Sequence, residues 1–349
     1  MKFTLLRWIT FVSVIFQISY FIYVLPVLLY LNYYDYNVPY LNQLFASILI
    51  SICIYVYLQT KITFLPLKFF IYFGMAAGFY GLILTGLFSF IHLFFLDIYA
   101  KELVPTLLFA ILVYGALNAR KIKTRSIGIT TNKVTQLQRF AFISDVHLGS
   151  QSISHLKRIL RLIKKSDVDA LFIGGDLIDS SSFDLDQLGL LNEVTIPIYF
   201  VTGNHEYYLK DFDHKIRTLS DFNIINIDFK TVSFNEIQLV GLGDNVSLAD
   251  KEAYLASLDD SDRFTILMVH QPSLWPIVAD KCDLMLSGHT HSGQMFPFHY
   301  LVRLQFPYYY GLHKKNGASA YISSGSGCWG PKMRLGSHNE IVFISIEPE

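Results

Sequence analysis

Five short blocks of metal-donor residues constrain this chain more than any other feature, because each closes a strand-length apolar run. They are Asp145-Val146-His147, Gly175-Asp176-Leu177-Ile178-Asp179, Gly203-Asn204-His205-Glu206, His270, and Gly288-His289-Thr290-His291. The runs before them, 140–143, 170–173, 198–201, 264–269 and 284–286, are rich in Ile, Val, Leu and Phe and read as strands. The donors therefore fall where strands stop and loops begin. Residues 237–242, 321–323 and 341–346 add strands, and Leu156, Ile159, Leu160 and Ile163 recur at helical spacing. Strands outnumber helices and several would be antiparallel, which favours a two-sheet α/β sandwich over an open doubly wound sheet. Carboxylate, imidazole and amide carbonyl are the donors that a pair of small divalent cations takes.

The first 118 residues have a different character. Hydrophobic residues make up 52% of the chain and charged residues 16%. The excess is concentrated in four runs, 8–31, 41–58, 67–96 and 103–118, each nearly free of charge. A membrane span needs about 20 apolar residues; the last run is short and needs its flanks. A cleaved signal peptide fits the first run poorly, because the run is long and further apolar segments follow without a small-residue cleavage site. The expectation is an α-helical bundle of four spans, with three or five open. Gly74, Gly78, Gly81 and Gly86 in the third run suit close helix packing. His92, also in the third run, reads as a packed or interfacial residue.

Basic residues set an expected topology. Lys2, Arg7, Lys61, Lys68, Arg120, Lys121, Lys123 and Arg125 all fall on one side of such a bundle. The opposite loops carry only Lys101, beside Asp97 and Glu102. Both chain ends should then be cytoplasmic. The expected division is a transmembrane domain at 1–118, a basic linker at 119–138 that can also lie against anionic headgroups, and a catalytic domain at 139–349. Net charge is zero, which gives no case for nucleic acid as a partner. Cys53, Cys282 and Cys328 lack the spacing of a disulfide framework or thiolate site.

The five blocks in order resemble the calcineurin-like metallophosphoesterase superfamily, over roughly residues 139–347. Gly288-His289-Thr290-His291-Ser292-Gly293-Gln294 is similar to the membrane-associated branch, with Ser292 where that branch has glycine. The resemblance implies a binuclear centre in which Asp176 bridges two ions. Asp145, His147 and His291 would complete one site, and Asn204, His270 and His289 the other. The ions would be Mn²⁺, Fe²⁺/Fe³⁺ or Zn²⁺, since all accept these donors. The implied reaction is attack by a metal-bridging hydroxide, with His205 protonating the leaving oxygen and Asp179 polarising His205. Glu206 reads as support for its loop.

Outside the blocks, His155, His214, His299, His313 and His338 read as surface or loop residues. Ser324-Gly325-Ser326-Gly327 is either a phosphate-facing turn or a plain one, and Arg334 is a candidate for binding a substrate phosphate. The aromatic stretch between Met295 and Tyr310 is either an interfacial surface or core packing. The branch resembled includes hydrolases of UDP-diacylglucosamine type, so the expected substrate is a lipid-linked phosphoester or pyrophosphate met at the bilayer. Two alternatives stand beside it. One is an anchored phosphatase or phosphodiesterase of soluble nucleotides or phosphoproteins. The other is a non-catalytic scaffold, disfavoured because every donor and His205 are present.

Overall fold

A computed structural model of the chain describes residues 5–59, 65–94, 99–258 and 261–349. Lys2, Lys61, Asp97 and the last two residues of the third apolar run lie outside the described residues. The chain divides into two compact units, Met1–Ala116 with Gly330–Lys332 and Leu117–Trp329 with Met333–Glu349.

In the first unit, helix Leu5–Ile18, a π-helical turn at Ser19–Val24 and helix Leu25–Asn32 follow one another directly. Helices Tyr40–Gln59, Leu65–His92 and Ala100–Ala119 come next, the last running across the unit boundary. Four segments, Arg7–Asn32, Tyr40–Leu58, Pro66–His92 and Ala100–Ala119, are long and apolar enough to cross a membrane. Large apolar side chains such as Phe45, Leu58, Phe90 and Phe109 stand exposed on them, as on helices that are apolar all round.

The π turn explains one of the glycines. A Cβ on Gly78 would lie 1.6 Å from the Ile22 carbonyl oxygen, so only glycine lets the third long helix back onto that turn. Gly81 meets Pro26 at ordinary contact distance, whereas Gly86 faces open space and takes no part in packing. Ser19 Oγ donates to the Ile15 carbonyl (2.8 Å) and accepts from Ser51 Oγ (3.0 Å), so the buried hydroxyl at the turn is satisfied.

The second unit is a two-sheet α/β sandwich. Its strands are β1 (Ile122–Thr131), β2 (Gln138–Ile143), β3 (Ala170–Ile173), β4 (Ile198–Phe200), β5 (Ile224–Asn226), β6 (Lys230–Phe234), β7 (Ile237–Leu242), β8 (Phe264–Val269), β9 (Leu284–Ser287), β10 (Gly311–Lys315), β11 (Ala318–Ile322) and β12 (Asn339–Pro348). One sheet runs β1-β12-β2-β3-β4-β5 and the other β10-β11-β9-β8-β7-β6. Within each, the central strands are parallel: β2, β3, β4 and β5 in the first, β7, β8, β9 and β11 in the second. Antiparallel pairing is confined to β12 on β2, β10 on β11 and β6 on β7.

Strand alternation sorts the core into layers. Phe140, Phe142, Phe172, Ile266, Met268, Leu284 and Leu286 point between the sheets. Ala141, Ile143, Leu171 and Ile173 point outward and are covered by Leu156, Ile159 and Ile163 of the amphipathic helix Ile153–Ile163. Leu267, Val269 and Met285 form the opposite outer layer under Trp275 and Val278.

Segment 119–138 is not a free linker over its whole length. Ile122–Thr131 is the edge strand of the first sheet, paired in parallel with β12. Its exposed residues include Lys123, Thr124, Arg125 and Ser126, and charge on an edge strand deters pairing with other chains.

Candidate metal centre

Because β2, β3 and β4 are parallel, as are β8 and β9, their C-terminal ends release the donor blocks on the same side of each sheet. The loops then lock to one another through the backbone. Asp145, His147 and Leu148 donate their N–H groups to the carbonyls of Gly175, Asp176 and Leu177 at 2.9, 2.9 and 2.8 Å. His289 N–H donates to the Asp145 carboxylate (3.0 Å), and His205 N–H to Asp176 Oδ1 (2.9 Å). Two glycines are required by these close approaches. A Cβ on Gly203 would stand 2.2 Å from Asp176 Oδ1, and one on Gly288 would stand 2.2 Å from Asp145 Oδ2.

The locked loops hold strained backbone. Asp145, His147, Asp176, His289 and His291 all have positive φ, between 49° and 73°. Such conformations cost about 1–3 kcal/mol each and persist where the surroundings over-determine them. The interlocking hydrogen bonds supply that constraint.

Side-chain donors converge into two cradles that share Asp176. In the first, His291 Nε2 is 3.4 Å from Asp145 Oδ1 and 2.9 Å from His147 Nε2. His147 Nε2 is in turn 3.8 Å from Asp176 Oδ2. In the second, His270 Nε2 is 3.2 Å from Asp176 Oδ2, and His289 Nδ1 lies 3.3 Å from His270 Nε2 and 3.0 Å from Asn204 Oδ1. Asp145, His147 and His291 form one donor group, all buried; Asp176, His270 and the half-buried His289 form a second; and His147, Asp176 and the part-exposed His205 form a third. All seven sequence candidates for metal ligands are thus gathered around one carboxylate.

The donor chemistry fits two cations. Burial opposes a charged imidazolium at His270, but Asp176 outweighs it and carries that imidazole up to about 10. His147 is also buried, yet the Asp179, Asp176 and Asp145 carboxylates raise it. Burial and the His270 charge take His289 down to about 4, and burial with His147 and Arg334 holds His291 well below its ordinary value. His270 therefore draws a proton beside the shared carboxylate, where a bound cation would otherwise provide the positive charge. The Asp176 carboxyl is held far below the usual range despite burial, because His270, His147 and His205 surround it.

Proton linkage follows. A bound cation would have to displace the proton on His270, so binding should release about one proton per chain at pH 7. Affinity should fall as pH is lowered, over the whole range below about 10 where His270 stays protonated. Calorimetric titration with Zn²⁺ in buffers of different ionisation enthalpy measures the release. Zero release would contradict the protonation pattern.

Supporting groups fix the ligands. His270 Nδ1 donates to the Gly174 carbonyl (2.8 Å), leaving Nε2 as the free donor atom. Glu206 is fully buried and accepts N–H bonds from Asp176 (3.0 Å), Ile178 (2.9 Å) and Gly203 (2.8 Å). Burial and the charge of Asp176 push its carboxyl up to about 8, against these donors.

His205 lies above the shared carboxylate, with Nε2 3.9 Å from Asp176 Oδ2 and a part-exposed ring. Burial lowers its pKa. Asp179, expected to polarise His205, acts on it through its charge, which opposes the lowering by burial; its Oδ2 is 3.6 Å from His147 Nδ1, and its Oδ1 accepts the Ser150 N–H at 2.8 Å. The 3.6 Å separation exceeds a hydrogen bond, and His147 Nδ1 makes none. The Asp179 carboxylate therefore orients His147 electrostatically, and the carboxylate nearest His205 is Asp176.

Several other residues differ from their sequence reading. Arg334 is fully buried and is not available to a substrate phosphate. Its guanidinium donates to the carbonyls of His291 (2.8 Å) and Gly327 (2.5 Å) and to Asn339 Oδ1 (2.9 Å), and so holds the loop of His291. In the Ser324–Gly327 turn, Ser324 N–H goes to Glu340 Oε1, Ser326 N–H to Ser144 O and Gly327 N–H to Asp145 O, which makes it a structural turn. His155 is buried rather than surface-exposed, with Nε2 2.6 Å from the Ser326 carbonyl. The 295–310 stretch divides in two. Phe296, Tyr300, Leu301 and Leu304 are exposed, while Phe306 is buried with its ring 5.2 Å from that of His289. Glu340, which accepts from Tyr321 OH (3.1 Å) and Ser324 N–H (2.9 Å), had no sequence signal beyond its place in a strand.

Comparison with known proteins gives one family and several relatives. Residues 138–293 match the family model described as calcineurin-like phosphoesterase. An uncharacterized metallophosphoesterase of Campylobacter jejuni is 30% identical over 266 residues, covering 70% of this chain and 69% of that protein. One from Helicobacter pylori strain J99 is 31% identical over 249 residues, covering 68% and 66%. A Bos taurus protein described as a transmembrane protein with metallophosphoesterase domain is 29% identical over 239 residues, covering 60% and 53%. The chain thus spans about two thirds of the bacterial relatives and about half of the bovine one.

Proposed function

The chain belongs to the calcineurin-like metallophosphoesterases, enzymes that hydrolyse phosphoesters, and from that premise we propose a membrane-anchored phosphohydrolase of lipid-linked phosphoesters or pyrophosphates. The observation that carries this reading is the pair of donor cradles sharing Asp176 Oδ2 beneath a part-exposed His205. Asp145, His147, Asp176 and His291 would hold one divalent cation, and Asp176, Asn204, His270 and His289 the other. Two such cations, when bound, neutralise phosphoryl oxygens and make a water nucleophilic at neutral pH.

This chain's own residues do the rest. Asp176 uses its Oδ2 for both cradles and fixes the backbone of His205 through Oδ1. His205 gives its proton to the departing oxygen and takes one back from solvent through its exposed edge. Asp179 and the Gly174 carbonyl keep His147 and His270 aimed inward.

Two observations support the lipid class, and a third bears on orientation. Four segments are apolar enough to span a membrane. The 288–294 stretch resembles the branch that includes hydrolases of UDP-diacylglucosamine type, and exposed Phe296, Tyr300, Leu301 and Leu304 adjoin that loop in sequence. Arg7, Lys68, Arg120, Lys121, Lys123 and Arg125 favour a cytoplasmic catalytic unit.

The test uses full-length protein in lipid micelles with Mn²⁺, a lipid-linked pyrophosphate, and p-nitrophenyl phosphate with its bis-ester. Hydrolysis should favour the lipid substrate, and His205→Ala should slow it by roughly 10²–10⁴-fold. Nitrophenolate needs little protonation and should suffer far less from the same substitution. Equal or better turnover of the soluble esters by the wild type would remove the lipid assignment and leave the anchored soluble-substrate phosphatase.

A further inference from the structure

His205 has two aromatic neighbours that the reaction above does not use. The Tyr208 ring meets it edge-on at 5.5 Å and 70°, and the Trp329 ring at 5.8 Å and 62°. Both are open to solvent, Tyr208 at 71% and Trp329 at 52% exposure. A single exposed aromatic needs no explanation. Two against the same part-buried imidazole, at the mouth of a metal cradle, are a different matter.

Trp329 is also held in place. Its N–H donates to Gln294 Oε1 (3.0 Å) and its carbonyl accepts from Gln294 Nε2 (2.9 Å), so one amide clamps both backbone groups. Gln294 lies three residues beyond the candidate ligand His291, at a strained φ of 37°. The loop that carries the metal donor thus also fixes the tryptophan. Tyr208 sits in the 3₁₀ turn Glu206–Tyr208, whose first residue anchors the loops of Asp176 and Gly203. Both rings are therefore positioned by the elements that build the centre.

We propose that Trp329 and Tyr208 form an open aromatic clamp for a planar ring on the leaving group, of nucleobase size. The clamp rests on reading His205 as the residue that meets the leaving oxygen, because that brings the leaving group to the imidazole both rings adjoin. Aromatic faces stack on bases with little demand for sequence-like hydrogen bonding. A lipid substrate carrying a nucleoside pyrophosphate would offer such a ring, as would a soluble nucleotide.

The test is binding of a nucleoside monophosphate, uridine 5′-phosphate, against ribose 5-phosphate, to full-length Mn²⁺-loaded protein in micelles. The two ligands share the phosphate and sugar and differ in the base. Uridine 5′-phosphate should bind at least tenfold more tightly and quench tryptophan fluorescence. Trp329→Ala should erase that preference while leaving ribose 5-phosphate affinity and metal content unchanged; Trp329→Phe should keep most of it, and Tyr208→Ala should reduce it. p-Nitrophenyl phosphate against glycerol phosphate repeats the comparison with an aryl ring in place of a base. Equal affinity for both members of each pair in the wild type overturns the clamp. So does a Trp329→Ala loss that is the same with and without the ring, since this marks a merely structural residue. Intact hydrolysis of the lipid substrate in His205→Ala would instead count against the acid role, with the base preference read separately.

Discussion

Asp176→Asn is expected to cost roughly 10³-fold in kcat/KM, the equivalent of about 4 kcal/mol of lost charge stabilisation. Asp176 lies between the two cradles, with its Oδ2 3.2 Å from His270 Nε2 and 3.8 Å from His147 Nε2. An amide keeps the volume and can still accept the His205 N–H, but it has no charge to share between two ions. The effect should reach the resting protein as well. Without Asp176 the His270 imidazole loses the main partner that lifts it, so the proton it holds at neutral pH is released. Metal content after dialysis, hydrolysis rate and proton release should therefore fall together. The far-UV circular dichroism should be retained, because the interlocked backbone of residues 145–148 and 175–177 is unchanged. Full activity in Asp176→Asn would remove this residue from the reaction.

Glu206→Gln should have the second-largest effect, and it is an effect on geometry. Glu206 Oε2 accepts from Asp176 and Gly203, and Oε1 from Ile178. Glutamine has one acceptor oxygen, so in either orientation at least one buried N–H faces an amide NH₂. That unsatisfied contact costs about 1–3 kcal/mol of stability. The same bonds hold Asp176 and the turn before Asn204 and His205. A displacement of the order of 1 Å at such a position lowers turnover by roughly 10²-fold. Thermal unfolding with and without metal, beside kcat and KM, separates the two consequences. An unchanged melting temperature with normal kcat would mean that Glu206 does not carry these loops.

The donor blocks were legible because strands and ligands obey short-range rules. β3, β7 and β8 begin and end where their apolar runs do, and ligands at strand ends need only the strand to be found. What the sequence hid was long-range. β1 reads as a basic linker because its pairing with β12 uses backbone groups, while its outward face is charged. Arg334 looks available in a Gly- and Pro-rich segment, yet the carbonyls that bury it come from His291 and Gly327. Asp179 follows Asp176 closely in sequence, but that spacing does not reveal that the left-handed turn at His147 brings its Nδ1 to within 3.6 Å of the Asp179 carboxylate. The π turn at Ser19–Val24 leaves no compositional trace, and only the 1.6 Å approach at Gly78 explains that glycine.

The most direct test of a shared carboxylate is electron paramagnetic resonance of the full-length protein loaded with Mn²⁺. Two ions held by Asp145, His147 and His291 and by Asn204, His270 and His289, with Asp176 between them, predict an exchange-coupled spectrum at saturating metal, replaced by uncoupled Mn²⁺ in Asp176→Asn. A spectrum of isolated Mn²⁺ in the wild type, unchanged by that substitution, would contradict the binuclear centre.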